Sequence, residues 1–504
     1  MQQNILAAIG VKAKLLKFTG SGHKHMRFKF SYIYLPIALS LIFFTLSCKK
    51  DKILTSGGQL RFSVDTLTFD TVFTAAGSFT ASVKIYNPQD QEVSISSVRM
   101  ANGAASYFHL NVDGVKGGIV NNVTIRAHDS IYVFALVNID PTNDSTPFVI
   151  DDKLVATLNG KDFSLPFMAY GQNAYYIVDS VMNSQIWKTD KPYVVVHSAE
   201  VAQGQTLTIP AGCRVYMHQD SRLVVLGTLK ATGTKTDSII FQGDRLDRFY
   251  FGYQGYPGEW GGIYYGPYST GNILSHVWIE NAGNSALGAF PAAVEVYEDS
   301  LHSGTQLKMD HVIIRNSLGY GIISFGGTIH AENCLVNTCG SEALALVQGG
   351  NDSFYNCSFV CYGTDKISHT QYPTAVILNY FYTDDTHYLV GNTNAWIQNC
   401  VFWGGLDTEM VCDKKPSAAY NVVFDHCIVK AGTTSINAAG VTTSACIFNQ
   451  DPVFKNITTW DFHASTASSP MVNNGASLLF IVDDLGGQSR PLGGKYDIGC
   501  YESY

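Results

Sequence analysis

Charge is scarce in this chain: of its 504 residues only 15% are Asp, Glu, Lys or Arg. Acidic residues outnumber basic ones and the formal net charge is −8, with no basic patch to neutralise phosphates. That balance argues against a nucleic-acid partner. Cysteine is present but not in the patterns that usually explain it. There are 11, an odd number, and no CxxC pair has zinc spacing. Disulfide frameworks belong to small domains that lack a core, and this chain is long enough for two or three domains. Most of its cysteines therefore read as small buried hydrophobes. No Cys-Trp-Cys core is present, which excludes an antibody-type domain.

What the chain has instead is a ladder of short strands. Seven pieces align: Ser275–Ile279, Asp310–Ile314, Glu332–Val336, Tyr355–Phe359, Gln398–Phe402, Asp425–Val429 and Ser444–Phe448. Each runs polar, His or Asn (once Ala), then Val or Cys, then apolar. The central position recurs at Val277, Val312, Cys334, Cys357, Cys400, Cys427 and Cys446. A repeat near 22 residues, as between Val312 and Cys334, predicts stacked coils of a parallel β-helix. The Val/Cys column and the residue two further on share one face by the period of two, and fill the interior. The column before it (His276, His311, Asn333, Asn356, Asn399, His426) predicts Asn amides bonded along the axis, with His at coil corners. The longer intervals, Val277 to Val312 and Cys357 to Cys400, require inserted loops or an extra coil.

The rest of the chain divides around this ladder. Residues 1–25 fit no domain and read as an over-called extension. Residues 26–47 form an export signal: Arg27 and Lys29, then the apolar run Tyr32 to Phe44. Thr45-Leu46-Ser47-Cys48 resembles a lipobox, and with Lys49-Lys50-Asp51 the segment is similar to lipoproteins of the Bacteroidetes. The resemblance implies lipid attachment at Cys48, hence a membrane partner at the outer membrane, facing either periplasm or exterior. The alternative is an uncleaved anchor, for which the apolar run is short. Residues 48–58 are a polar tether. Residues 59–172 alternate strands with turns, including a hairpin signal at Asn159-Gly160 and a fully buried strand over Ile131–Val137. That spacing predicts an Ig-like β-sandwich.

From residue 173 to 504 the pattern resembles bacterial right-handed parallel β-helix proteins of the pectate-lyase-like superfamily. The resemblance rests on Thr206–Phe241, on Glu259-Trp260-Gly261-Gly262-Ile263, and on a closing signature built from Ser469-Pro470 and Asp497-Ile498-Gly499-Cys500-Tyr501-Glu502. The fold expected is thus all-β, an N-terminal Ig-like β-sandwich followed by a right-handed parallel β-helix closed by that signature. Such folds carry polysaccharide lyases, which use Ca²⁺-binding carboxylates and a base, and hydrolases, which use paired carboxylates. The Asn-Thr-Asp, Gly-His-Gly and Arg-Ile-Lys patterns of polygalacturonase-type hydrolases are absent, as is a pectate-lyase arginine motif. No cofactor is expected beyond Ca²⁺ in the case of a lyase.

The catalytic candidates are Asp310 and Glu332, in register on neighbouring coils, and Asp384, Asp385 and His387 inside the 43-residue interval. The competing reading is solvated turn carboxylates. Tyr250, Tyr253, Tyr256 and Trp260 are candidate glycan contacts in an aromatic, Gly-rich loop, against the alternative that their rings pack on the coil edge. The ladder histidines alternate with Asn, so structure explains them better than metal. The expectation is a structural, adhesive or glycan-binding module with polysaccharide as its partner; the alternative is a lyase or glycosidase.

Overall fold

The computed structural model describes residues 52–503 except 75–76, 141–147, 220, 247, 249–254, 285–289 and 299–303. The described residues are almost wholly strand and turn, with one 3₁₀ turn at Gly103–Ala105. Two architectures follow one another.

The first consists of two five-stranded sheets that share one apolar core. One sheet holds Ala81–Tyr86, Phe108–Val112 and Ser130–Val137; the other holds Leu67–Phe73, Val93–Met100, Ile119–Ile125, Phe148–Leu158 and Lys161–Gln172. Phe148–Leu158 and Lys161–Gln172 pair antiparallel, closed by Asn159 (φ 50) and Gly160 (φ 80). Those left-handed angles are what a two-residue hairpin demands. Ser130–Val137 was expected to be wholly buried. Instead it alternates, with Tyr132, Phe134 and Leu136 exposed. The sheet is covered on one side only, so half of the strand's apolar residues face water.

The second is a parallel β-helix, a 26-stranded coil running from Tyr175–Met182 to Ile447–Phe448. Val277 and Val312 face each other on directly paired strands, and the strands that flank Cys357 pair directly with those that flank Cys400. Both long intervals are therefore single coils with insertions, not extra turns. In the 43-residue interval the insertion is the hairpin Tyr380–Tyr382 with Tyr388–Val390. The Val/Cys column is buried in the interior except at Cys446, and Phe359 stacks on Phe402 at 5.1 Å. All ten described cysteines are free thiols.

The column of His and Asn has a different cause from the one expected. His276, His311, Asn333, Asn356, Asn399, His426 and Ala445 all have φ between 48° and 55°. Every coil turns its corner through the left-handed region, which Asn and His tolerate better than most residues. Among the described bonds, only Asn399 Nδ2 to Asn356 Oδ1, 3.3 Å, links two Asn of the column along the axis. The other amides point sideways to the C-terminal segment. Asn333 donates to Asp483 O at 3.1 Å, Asn356 to Asp497 O at 3.0 Å and Asn399 to Ala476 O at 2.9 Å. The closing signature thus runs back along the flank of the coil as a strap, where an end cap was expected. Arg490 and Glu502, both fully buried, pair at 2.5 Å within it.

Candidate functional site

One outer face of the coil is built from Leu307–Ser317, Ile329–Glu332, Gly350–Tyr355, Thr393–Gln398 and Tyr420–Asp425. Parallel pairing without slippage sets outward side chains in rows along the axis, ~4.8 Å apart. One row reads Asn351, Asn394, Asn421; the next Lys308, His330, Ser353, Trp396, Val423; the third Asp310, Glu332, Tyr355, Gln398, Asp425. The Asn row is an amide ladder: Asn394 donates to Asn351 at 2.7 Å and Asn421 to Asn394 at 2.8 Å. Trp396 stands 44% exposed among these groups. The strap forms the far rim, with Phe480 edge-on to Tyr355 at 5.3 Å and Leu479 86% exposed.

Asp310 and Glu332 do lie directly opposite each other on neighbouring strands. That backbone spacing approaches the ~5–5.5 Å carboxyl separation of retaining glycosidases. Their partners argue against acid–base work. Glu332 binds His330 Nε2 at 2.5 Å, with Lys308 at 3.9 Å. Burial pushes the Asp310 carboxyl up, but the hydrogen bond and charge of His311 outweigh burial and hold it below its ordinary value. A general acid needs the opposite shift. His311 faces two acceptors, Asp310 Oδ1 at 2.7 Å and Asp484 O at 2.9 Å, so both ring nitrogens carry protons. Burial opposes that charge; Asp310 restores it and the net shift is upward. His276, half-buried and beside His311, is shifted down, by burial first and then by the charge of His311.

His276, Asp310 and His311 offer ligand atoms within 4.8 Å of one another. The two rings stack at 4.5 Å and are parallel to within 4°. Imidazole lone pairs lie in the ring plane, so two stacked rings cannot both aim at one ion ~2.1 Å from each. The cluster reads as a charged corner that grips the strap.

The other predicted residues scatter. Asp384 folds onto its own turn, accepting from Thr386 N and His387 N at 2.8 Å each. Those bonds, the Thr386 amide first, pull it down to about 2. Asp384, Asp385 and His387 are all exposed at the hairpin tip, away from the Asp310–Glu332 pair in the fold. Trp260 is fully buried and its Nε1 donates to Glu280 O at 2.8 Å, so it is a core residue and not a glycan contact. Tyr256 is exposed, with Lys366 Nζ 4.7 Å from its ring. Tyr250, Tyr253 and Cys48 lie outside the described residues. Sequence reasoning missed Trp396. Its signal was available: it sits two residues before the ladder residue Gln398, hence on the same outward face.

No family model matches the chain, and no curated protein matches it significantly. Among solved structures, a family 123 glycoside hydrolase from Clostridium perfringens aligns at 8% identity and TM-score 0.17, over 23% of this chain and 26% of that one. The catalytic unit of a thermostable GH87 α-1,3-glucanase from Streptomyces thermodiastaticus aligns at 11% identity and TM-score 0.25, over 73% of this chain and 75% of that one. Likenesses this distant carry no argument about activity.

Proposed function

We propose that this protein is a glycan-binding module of a cell-envelope lipoprotein, anchored through Cys48, with the two-sheet unit as an Ig-like spacer and the coil as the binding body. The observation that carries the reading is the in-register outer face: an amide ladder, hydroxyls and mixed charges around the exposed Trp396 ring. A polymer of hydroxylated rings lying along the coil meets the repeated Asn351, Asn394 and Asn421 amides on three strands and the exposed ring of Trp396 beside them. Lipid anchoring is supported by the sequence of residues 26–48 alone.

Affinity electrophoresis against a panel of neutral and uronate polysaccharides tests this. The wild type should be retarded by at least one polymer, and Trp396→Ala should lose about tenfold in affinity, the ~1.4 kcal/mol of one good ring contact. Retardation by none would sink the reading. The enzymatic alternative is favoured by the opposed Asp310 and Glu332. New reducing ends or unsaturated products, lost in Asp310→Asn or Glu332→Gln, would replace binding with catalysis.

A further inference from the structure

A second recess lies where the two-sheet unit meets the coil. Leu67–Phe73 ends against the coil's first turns: Phe73 packs on Tyr216 at 4.7 Å, and Tyr176 bonds its hydroxyl to Thr74 O. Beside this contact is a cleft of about 490 Å³, lined from one side by Asp70 and Phe79 and from the other by His218, Asp244, Arg248, Tyr256 and Glu259. Pockets of ~300–1,000 Å³ at domain junctions are the usual seats of small ligands.

The lining groups are held in place by one another. Glu259 grips Arg248 with both oxygens, at 3.0 and 3.1 Å, and accepts the Tyr256 amide at 2.9 Å. Gly255 (φ 74) turns the chain there, and a Cβ would strike the Arg248 guanidinium. His218 Nδ1 meets Asp244 Oδ2 at 2.6 Å, which fixes that carboxylate at the cleft wall. Three carboxylates, Asp70, Asp244 and Glu259, outnumber the two guanidiniums, Arg245 and Arg248, which disfavours phosphates and polyanions. The Arg248–Glu259 pair stiffens the wall, and the Asp70 and Asp244 carboxylates offer acceptor oxygens suited to sugar hydroxyls, beside the Phe79 and Tyr256 rings.

We propose that this junction cleft binds the end of a short, uncharged oligosaccharide. The proposal rests on the glycan reading above and adds a second, chain-end site to the face along the coil.

Titration calorimetry of the purified protein with maltotetraose, cellotetraose, xylotetraose and mannotetraose, and with tetragalacturonate and inorganic phosphate, tests it. At least one neutral tetramer should bind. Asp244→Asn and Tyr256→Ala should each weaken it about tenfold or more. Circular dichroism should report both cleft variants folded. The cleft assignment fails if no neutral tetramer binds, if tetragalacturonate or phosphate binds more tightly, or if both folded cleft variants bind like the wild type. Polymer retardation that depends on Trp396 while these tetramers fail would remove the cleft and leave the face. Tetramer binding without polymer retardation would remove the face and leave the cleft.

Discussion

Asp352 shows how a single buried group registers in this fold. It points into the coil, where Oδ1 accepts the Ile329 amide at 2.9 Å and Oδ2 has no partner. Burial pushes its carboxyl up to about 8, against an ordinary 3.8. The folded state therefore prefers the protonated acid. Its contribution to stability is greatest below about pH 4 and falls as pH rises toward 8, because the unfolded chain ionises first. Asp352→Asn should remove that slope: urea midpoints near wild type at pH 4, and a variant more stable by about 1–3 kcal/mol at pH 8, the cost of an unsatisfied buried polar group. A wild-type curve parallel to the variant's across that window would refute it. The Asn/His column makes the complementary point. Its residue types were plain in the sequence, but their cause was not, because a left-handed corner and an axial amide stack select the same side chains.

The strap is the element whose placement the sequence left open. Ser469-Pro470 and Asp497–Glu502 were recognisable as a closing signature, yet a signature has no direction. In the fold the C-terminal segment lies along four rungs of the ladder, at His311, Asn333, Asn356 and Asn399, and is braced by Arg490 on Glu502. Arg490 also donates to Gly499 O at 2.9 Å, and Glu502 also accepts the Leu492 amide at 2.8 Å. Arg490→Met would leave Glu502 buried without its counter-charge, a loss of roughly 3–5 kcal/mol. Limited proteolysis should then cut within 472–503 at least tenfold faster than in wild type, while coil peptides before residue 450 stay protected. Equal cutting throughout would mean the strap and coil unfold as one unit.

At the scale of the whole molecule, the thiols report on the stack. Nine of the ten described cysteines are buried, and Cys446 is partly exposed because it sits at the corner of the last coil. A small alkylating reagent followed by peptide mapping should label Cys446 alone of these ten under native conditions. The other nine should react together, at the rate of global unfolding. Early labelling of Cys357 or Cys400 would show that the middle coils open independently.

The repeat of Val and Cys at coil spacing determined the architecture, since a buried column at that period has few other solutions. The period of two likewise put Asp310 and Glu332 on one outward row, and the absence of catalytic patterns directed attention to binding. The hydrophobic pattern is local, and local patterns are legible in order along the chain. Only the tertiary structure decided what lies beside what: that Trp260 is core and Trp396 surface, that Asp384 serves its own turn, that the C-terminal segment is a flank strap, and that Asp70, Asp244 and Glu259 share one cleft. Those facts depend on contacts between residues up to about two hundred positions apart, which no spacing along the chain encodes.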